Sequence, residues 1–467
     1  MINTVEKVRS HFWIYAIAVF ISQLDGGTVS TMLPALTRTF GLSSVNSSWV
    51  AGIYTLGLVI GTPIASNLSD IYGAKKIFMG ELGIWFLGAL LTGIAPTYGL
   101  FLLGRFILAL GDCGIIVLSI NLMLHTAGHQ RQGRKVSVVG VVSGLASIFA
   151  PIFVGLTLAF TGNWRAFYYS LLPFIAILFL LVWRILDNEV KEEQWQTDFP
   201  GLTAFTIFIT SFMLFLTFIQ QFNTYKYLIF ALIVVAAISL WTFIRVERNI
   251  APNKMPFLPI NLLKKPAYSL TLLLGLLGGT LFAVFIYIPT YVHTVFHLPM
   301  RLSGMTLVVT GLGSVIGSWI GGLMVDKLGN KRTLIISAAS IGLSGLLIIF
   351  GLSQLRLFTI FSFILGLGLG SFMSAPLQVI AGRMAGKGNR VQAIGGLSTT
   401  KKIGAIVAPI VYASVIQLNV NNGHMGIQVY RGIFVLLVVI AVISIIVTSL
   451  IPFTKEENLW VIKKQFY

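Results

Sequence analysis

SNLSDIYGAKKI at 66–77 and GLMVDKLGNKRT at 322–333 present the same features in the same order. Each has an aspartate (Asp70, Asp326), a glycine three residues on (Gly73, Gly329), then a basic pair (Lys75 and Lys76; Lys331 and Arg332). Both stretches join two apolar runs. The glycines permit a tight reversal, the aspartates can meet the positive N-terminal end of a nearby helix, and the basic pairs stay in water facing an acidic leaflet. Recurrence of the loop predicts a chain made of two related halves, the design of duplicated helix bundles that rock about a midplane site.

The rest of the chain fits a lipid solvent. Of 467 residues, 56% are hydrophobic and 10% charged, where a water-soluble protein carries about 25% charged residues. Apolar runs predict fourteen spans, near 11–35, 47–67, 77–95, 98–124, 136–160, 165–186, 199–221, 225–245, 267–293, 302–325, 333–352, 356–380, 393–418 and 431–452. The seventh and eighth carry no repeat of the loop and read as an insert. The expected class is therefore an all-α membrane protein. It has a six-helix bundle at 1–186, two extra central helices at 187–250 and a second six-helix bundle at 251–467.

Of the 32 Lys and Arg residues, 23 fall in the two tails and the even-numbered loops, against six in the opposite loops. That asymmetry predicts both termini in the cytoplasm of a multi-pass protein. Lys7 and Arg9 precede the first run without a small-residue cleavage pattern after it, so the first helix is expected to be retained. The net charge of +18 is spread between apolar runs, which argues against nucleic acid as a partner. Cys113, the single cysteine, excludes an internal disulfide and reads as packing. No HExxH, GxxxxGK[ST], CxxC or GxSxG occurs, and the loop histidines show no pair at metal-ligand spacing. No enzyme activity, metal or cofactor is expected, which leaves an ion gradient as the energy source.

Within HFWIYAIAVFISQLDGGTVSTMLPA (11–35) the one acidic or basic residue apart from the opening histidine is Asp25, about 22 Å along the run. A carboxylate at that depth is normally kept for ion or substrate handling. The alternative is a structural partner, hydrogen-bonded to Ser22 or Thr28. In the fourth span Arg105, Asp112 and Ser119 recur at seven-residue steps and share one stripe. Arg105 either tunes Asp112 or forms an ion pair with it that holds helices together. Glu81 is expected to meet Lys75, Lys76 or another loop cation, and Lys401 and Lys402 to snorkel. Phe282, Phe285, Tyr287, Tyr291 and Met373 offer aromatic and thioether surface for bulky amphipathic substrates, or simply packing.

The duplicated loop resembles the signature loop of the major facilitator superfamily, and other landmarks resemble its fourteen-helix drug/proton antiporter branch. LDGGTVSTMLP (24–34), LLGRFILALGDCG (102–114), NWRAFYYSLLP (163–173) and PFLPINLLKKPAY (256–268) look like that branch's elements in order. APIFVG (150–155) keeps Pro151 and Gly155 of its fifth-helix antiporter motif and departs elsewhere; Leu108, Ala109 and Asp112 depart in the fourth helix. The resemblance implies that helices 1 and 4 line a cavity holding both Asp25 and Asp112, with Arg105 in proton transfer or gating. Two carboxylates in a partly dry site disfavour joint ionisation, which suits proton exchange. The expected function is a proton-driven exporter of amphipathic or cationic compounds in a bacterial plasma membrane, working as a monomer. Asp70, Gly73, Lys75, Pro151, Asp326, Gly329 and Lys331 are assigned to conformational gating. The departures keep open a facilitator or symporter for one metabolite or lipid, while a channel or a polytopic enzyme finds no support in a charge ring or catalytic constellation.

Overall fold

The computed structural model describes residues 2–26, 28–42, 44–126, 132–186, 196–219, 222–250, 254–255, 260–298, 300–351, 353–385, 389–423 and 426–452. Among them the regular structure is helical, apart from a two-residue parallel ladder of β1 (Gln196–Thr197) with β2 (Lys254–Met255). Helices dominate because a chain in hydrocarbon has to satisfy its backbone groups within each segment. In order they are α1 (Ile2–Gly26), α2 (Val29–Phe40), α3 (Ser44–Tyr72), α4 (Ala74–Ile94), α5 (Tyr98–Asp112), α6 (Ile115–Thr126), α7 (Gln132–Thr161), α8 (Arg165–Ile185), α9 (Phe199–Phe218) and α10 (Phe222–Arg248). There follow α11 (Ile260–Leu263), α12 (Pro266–Phe282), α13 (Tyr287–Phe296), α14 (Met300–Leu328), α15 (Asn330–Gly351), α16 (Leu355–Met373), α17 (Ala375–Met384), α18 (Arg390–Asn421) and α19 (Ile427–Leu450).

Thirteen helices among the described residues are long and apolar enough to cross a membrane, and a shorter apolar stretch, Phe12–Asp25, lies in α1. Four expected spans are interrupted. The first stops at Gly26, the fourth turns at Cys113 and Gly114, and the ninth passes through a 3-10 segment, Ala283–Ile286. The twelfth ends α16 at Ser374, with ψ of −101°, two residues before Pro376. A proline has no N–H for the carbonyl four residues back, so a break there is the physical expectation.

The chain divides into two compact units: residues 1–122, 149–261 and 386–399 in the first, and 123–148, 262–385 and 400–467 in the second. In the first, glycines bring α4 and α5 close. A Cβ on Gly88, Gly104 or Gly111 would strike the backbone of the facing helix. The helices expected as an insert, α9 and α10, pack on each other through Phe205 and Phe243, and α9 meets α3 where Phe218 faces Trp49. In the second, Gly313, Gly317 and Gly321 of α14 and Gly366 and Gly370 of α16 press against each other's helix backbone. The glycine run 364–371 thus serves close approach.

Both copies of the repeated loop fold alike. Gly73 (φ 92°) and Gly329 (φ 84°) take backbone conformations that favour glycine. Each donates its N–H to the carbonyl four residues back, Gly73 to Ser69 and Gly329 to Val325, and each accepts from the residue four ahead, Ile77 and Thr333.

Candidate functional site

At the centre of the first unit stand two acids, one cation and two tyrosines from four helices. Asp25 at the end of α1 and Arg105 on α5 are both 0% exposed. An Arg105 terminal nitrogen donates to Asp25 Oδ2 at 2.5 Å, and the same nitrogen lies 3.4 Å from the Tyr168 hydroxyl on α8. The guanidinium carbon sits 4.4 Å from the ring centroid of Tyr54 on α3. The Tyr54 hydroxyl in turn donates to Asp112 Oδ2 at 2.5 Å. A fully buried carboxylate–guanidinium pair is stable only when the partners stay together, because either one alone is a bare charge in a dry interior.

Several pairings differ from those the sequence predicts. Arg105 reaches Asp25 directly, and its route to Asp112 runs through Tyr54. Seven residues of helix separate the two Cα atoms by about 10.5 Å, and Arg105 is turned toward Asp25 while Asp112 takes the Tyr54 hydroxyl. The Thr28 hydroxyl binds the Asp25 backbone carbonyl at 2.7 Å, leaving the carboxylate for Arg105. Ser119 is buried on α6, past the turn that interrupts the stripe. Glu81 turns inward on α4, 4% exposed, and accepts from Cys113 Sγ at 3.5 Å, whereas Lys75 is half-buried and Lys76 exposed. Tyr54 and Tyr168 escaped the sequence reading because tyrosine in an apolar run counts as apolar.

The aspartates of the repeated loop each cap a helix. Asp70 Oδ2 accepts the Gln392 N–H at 3.0 Å in the first turn of α18. Asp326 accepts the N–H groups of Gly133 at 2.8 Å and Arg134 at 3.0 Å in the first turn of α7, with the Arg134 Nε 4.0 Å away. Unfilled N–H groups and the helix dipole both favour a carboxylate there. Asp326→Ala is expected to cost about 1–2 kcal/mol, read as a lowered melting temperature in detergent, and Asp326→Asn less because it keeps an acceptor oxygen. An unchanged melting temperature in the alanine variant would remove the cap from the account. Lys331 Nζ donates to the Ser449 carbonyl at 3.0 Å, and Lys75 is half-buried.

In the second unit Lys401 does not snorkel. Its ammonium, on α18, donates to the Met373 carbonyl at 2.8 Å, at the C-terminal end of α16 where the helix breaks. A cation at a helix C-terminus meets carbonyls without helical partners. Phe282, 38% exposed, faces Phe285 with ring centroids 4.7 Å apart, and the Tyr287 hydroxyl binds the Pro409 carbonyl at 2.7 Å. Tyr291 is buried in an aromatic cluster with Phe358, Tyr430 and Phe434. Pro151 lies half-buried inside α7. Among the described residues no three His, Cys, Asp or Glu side chains stand together as a metal site would require.

A family model described as Major Facilitator Superfamily matches residues 15–409 and, overlapping, 301–466. An uncharacterized MFS-type transporter of Bacillus subtilis, YfiU, is 32% identical over 89% of this chain and 82% of its own length. Multidrug resistance protein 3 of the same organism is 24% identical, covering 79% of this chain and 72% of its own. Among solved structures, the human organic anion transporter MFSD10 superposes with a TM-score of 0.66 over 94% of this chain and 99% of its own at 14% identity. The proton:xylose symporter XylE gives 0.65 over 96% of both chains at 12% identity. At such identities the structures speak for the fold alone. The helical architecture, the duplicated loop and the family match over most of its length agree: the chain belongs to the Major Facilitator Superfamily and is a multi-pass membrane transporter of small molecules.

Proposed function

We propose that this transporter is a proton-coupled antiporter that exports amphipathic or cationic compounds across a bacterial plasma membrane by alternating access. It has fourteen spans, the first formed by α1 and α2, and both termini in the cytoplasm. The observation that carries the reading is the Asp25–Arg105 pair, buried in the first unit and joined through Tyr54 to a second acid, Asp112. A proton arriving on Asp25 dissolves the charge pair, and a cationic substrate competes with Arg105 for the same carboxylate. Proton and substrate therefore exclude one another at one group, which is what exchange requires. No ATP-binding motif occurs in the sequence, and one charge moved through 100 mV supplies about 2.3 kcal/mol. The names of several relatives, among them Multidrug resistance protein 3 and the multidrug transporter MdtP of Bacillus subtilis, favour export of drugs.

The partial APIFVG motif favours a second reading, a symporter or facilitator for one metabolite. Ethidium transport into energised inverted vesicles separates the two. Antiport predicts accumulation that a protonophore collapses; no accumulation of ethidium or other cationic dyes, with uptake of a single neutral or anionic solute, would replace it with the second reading.

A further inference from the structure

Tyr54 touches both the Arg105 guanidinium and the Asp112 carboxylate. Its hydroxyl ends on Asp112 Oδ2 while its ring lies against the guanidinium carbon. Tyr54 is 6% exposed and Asp112 3%, so neither exchanges its partner freely for bulk water. The ionisable groups around this tyrosine are Arg105 and Asp112 from α5, with Asp25 from α1 and Tyr168 from α8 held to the same guanidinium.

We propose that Tyr54 is a positioning residue that ties the charge state of Asp112 to the strength of the Asp25–Arg105 ion pair. The inference rests on the proton-coupled reading above and gives the second acid a route to the first. When Asp112 is ionised, the tyrosine O–H donates a charge-assisted hydrogen bond and the ring is drawn toward Asp112. When Asp112 takes up a proton from solvent, its own O–H becomes a donor and the tyrosine oxygen an acceptor, so the bond reverses and weakens. Tyr54 keeps its proton throughout. The ring moves with its hydroxyl, and the pull of its face on the guanidinium, strengthened where water is excluded, moves with it. Arg105 is thereby held more or less firmly against Asp25. Phenylalanine at this position would keep the ring and lose the reporting group.

The test is infrared titration of carboxyl bands in the reconstituted protein, with the Asp25 band identified by its loss in Asp25→Asn. Tyr54→Phe and Asp112→Asn are each expected to move the pH profile of the Asp25 band by ~0.5 pH unit or more, and the double variant by no more than either alone. Asp112→Asn reports independently should Tyr54→Phe insert poorly. An Asp25 profile unchanged in either single variant, or shifts that add in the double variant, overturns the proposal. If the wild-type protein shows no titrating carboxyl band, the proton-coupled reading fails and the proposal with it.

Discussion

Asp25→Asn is expected to abolish proton-driven efflux and to destabilise the protein in the same stroke. The carboxylate is 0% exposed and is the acid bonded to a guanidinium that is equally buried. Asparagine keeps an oxygen that can accept from Arg105 but removes the countercharge, leaving a cation in a dry interior. Breaking one side of a buried pair in this way costs about 3–5 kcal/mol. The cation–π contact with Tyr54 and the long contact to the Tyr168 hydroxyl recover part of that. The informative companion is Asp25→Asn with Arg105→Gln, which deletes both charges. It is expected to regain most of the lost melting temperature in detergent while transport stays at background, because a neutral pair leaves nothing for a proton or a cation to displace. Normal dye efflux from Asp25→Asn would remove this residue from the mechanism. A double variant no more stable than the single would show that the pair is not what the interior is built around.

The contrast between this pair and the membrane spans shows what a sequence carries. Spans are legible because hydrocarbon demands about twenty apolar residues in a row, a local property. The turns at Gly73 and Gly329 are legible for the same reason, since a positive φ is decided within a few residues. The residue types of the site were also legible, because acids and an arginine within apolar runs stand out. Their partners were not. Asp25 and Arg105 lie 80 positions apart, and their meeting depends on how α1 and α5 are rotated and slid against each other, which no single-helix periodicity encodes. An apolar run around Lys401 predicts snorkelling, whereas the break in α16 that gives its ammonium a carbonyl follows from the backbone at Ser374, 27 residues earlier. Sequence proximity pairs Glu81 with neighbouring cations, yet helical rotation sends it inward to Cys113 while Lys75 and Lys76 stay toward the surface.

Gly111→Ala is the smallest change expected to damage the site without touching a charge. Gly111 precedes Asp112 at the end of α5, and a Cβ built there would overlap the Trp85 backbone nitrogen and Cα and the Glu81 carbonyl of α4. Backbone atoms in the middle of a helix cannot rotate away as a flexible side chain can. Relief has to come from separating α5 and α4, whose contact runs along Gly88, Gly104 and Gly111. Overpacking of a fitted interface costs about 1–3 kcal/mol, and the upper end is expected here because the obstruction is main chain. The displacement acts on the residue next to Asp112, so the hydrogen bond from Tyr54 is the first polar contact to loosen, and transport is expected to fall further than stability. Gly83→Ala on α4 supplies the control, since nothing lies within 4 Å of its added Cβ. There the gain in helix propensity, up to ~1 kcal/mol, should leave the melting temperature equal or higher and transport unchanged. If Gly111→Ala melted and transported like the control, α4 and α5 would not pack as closely as this site requires, and the placement of Asp112 against Tyr54 would have to be redrawn.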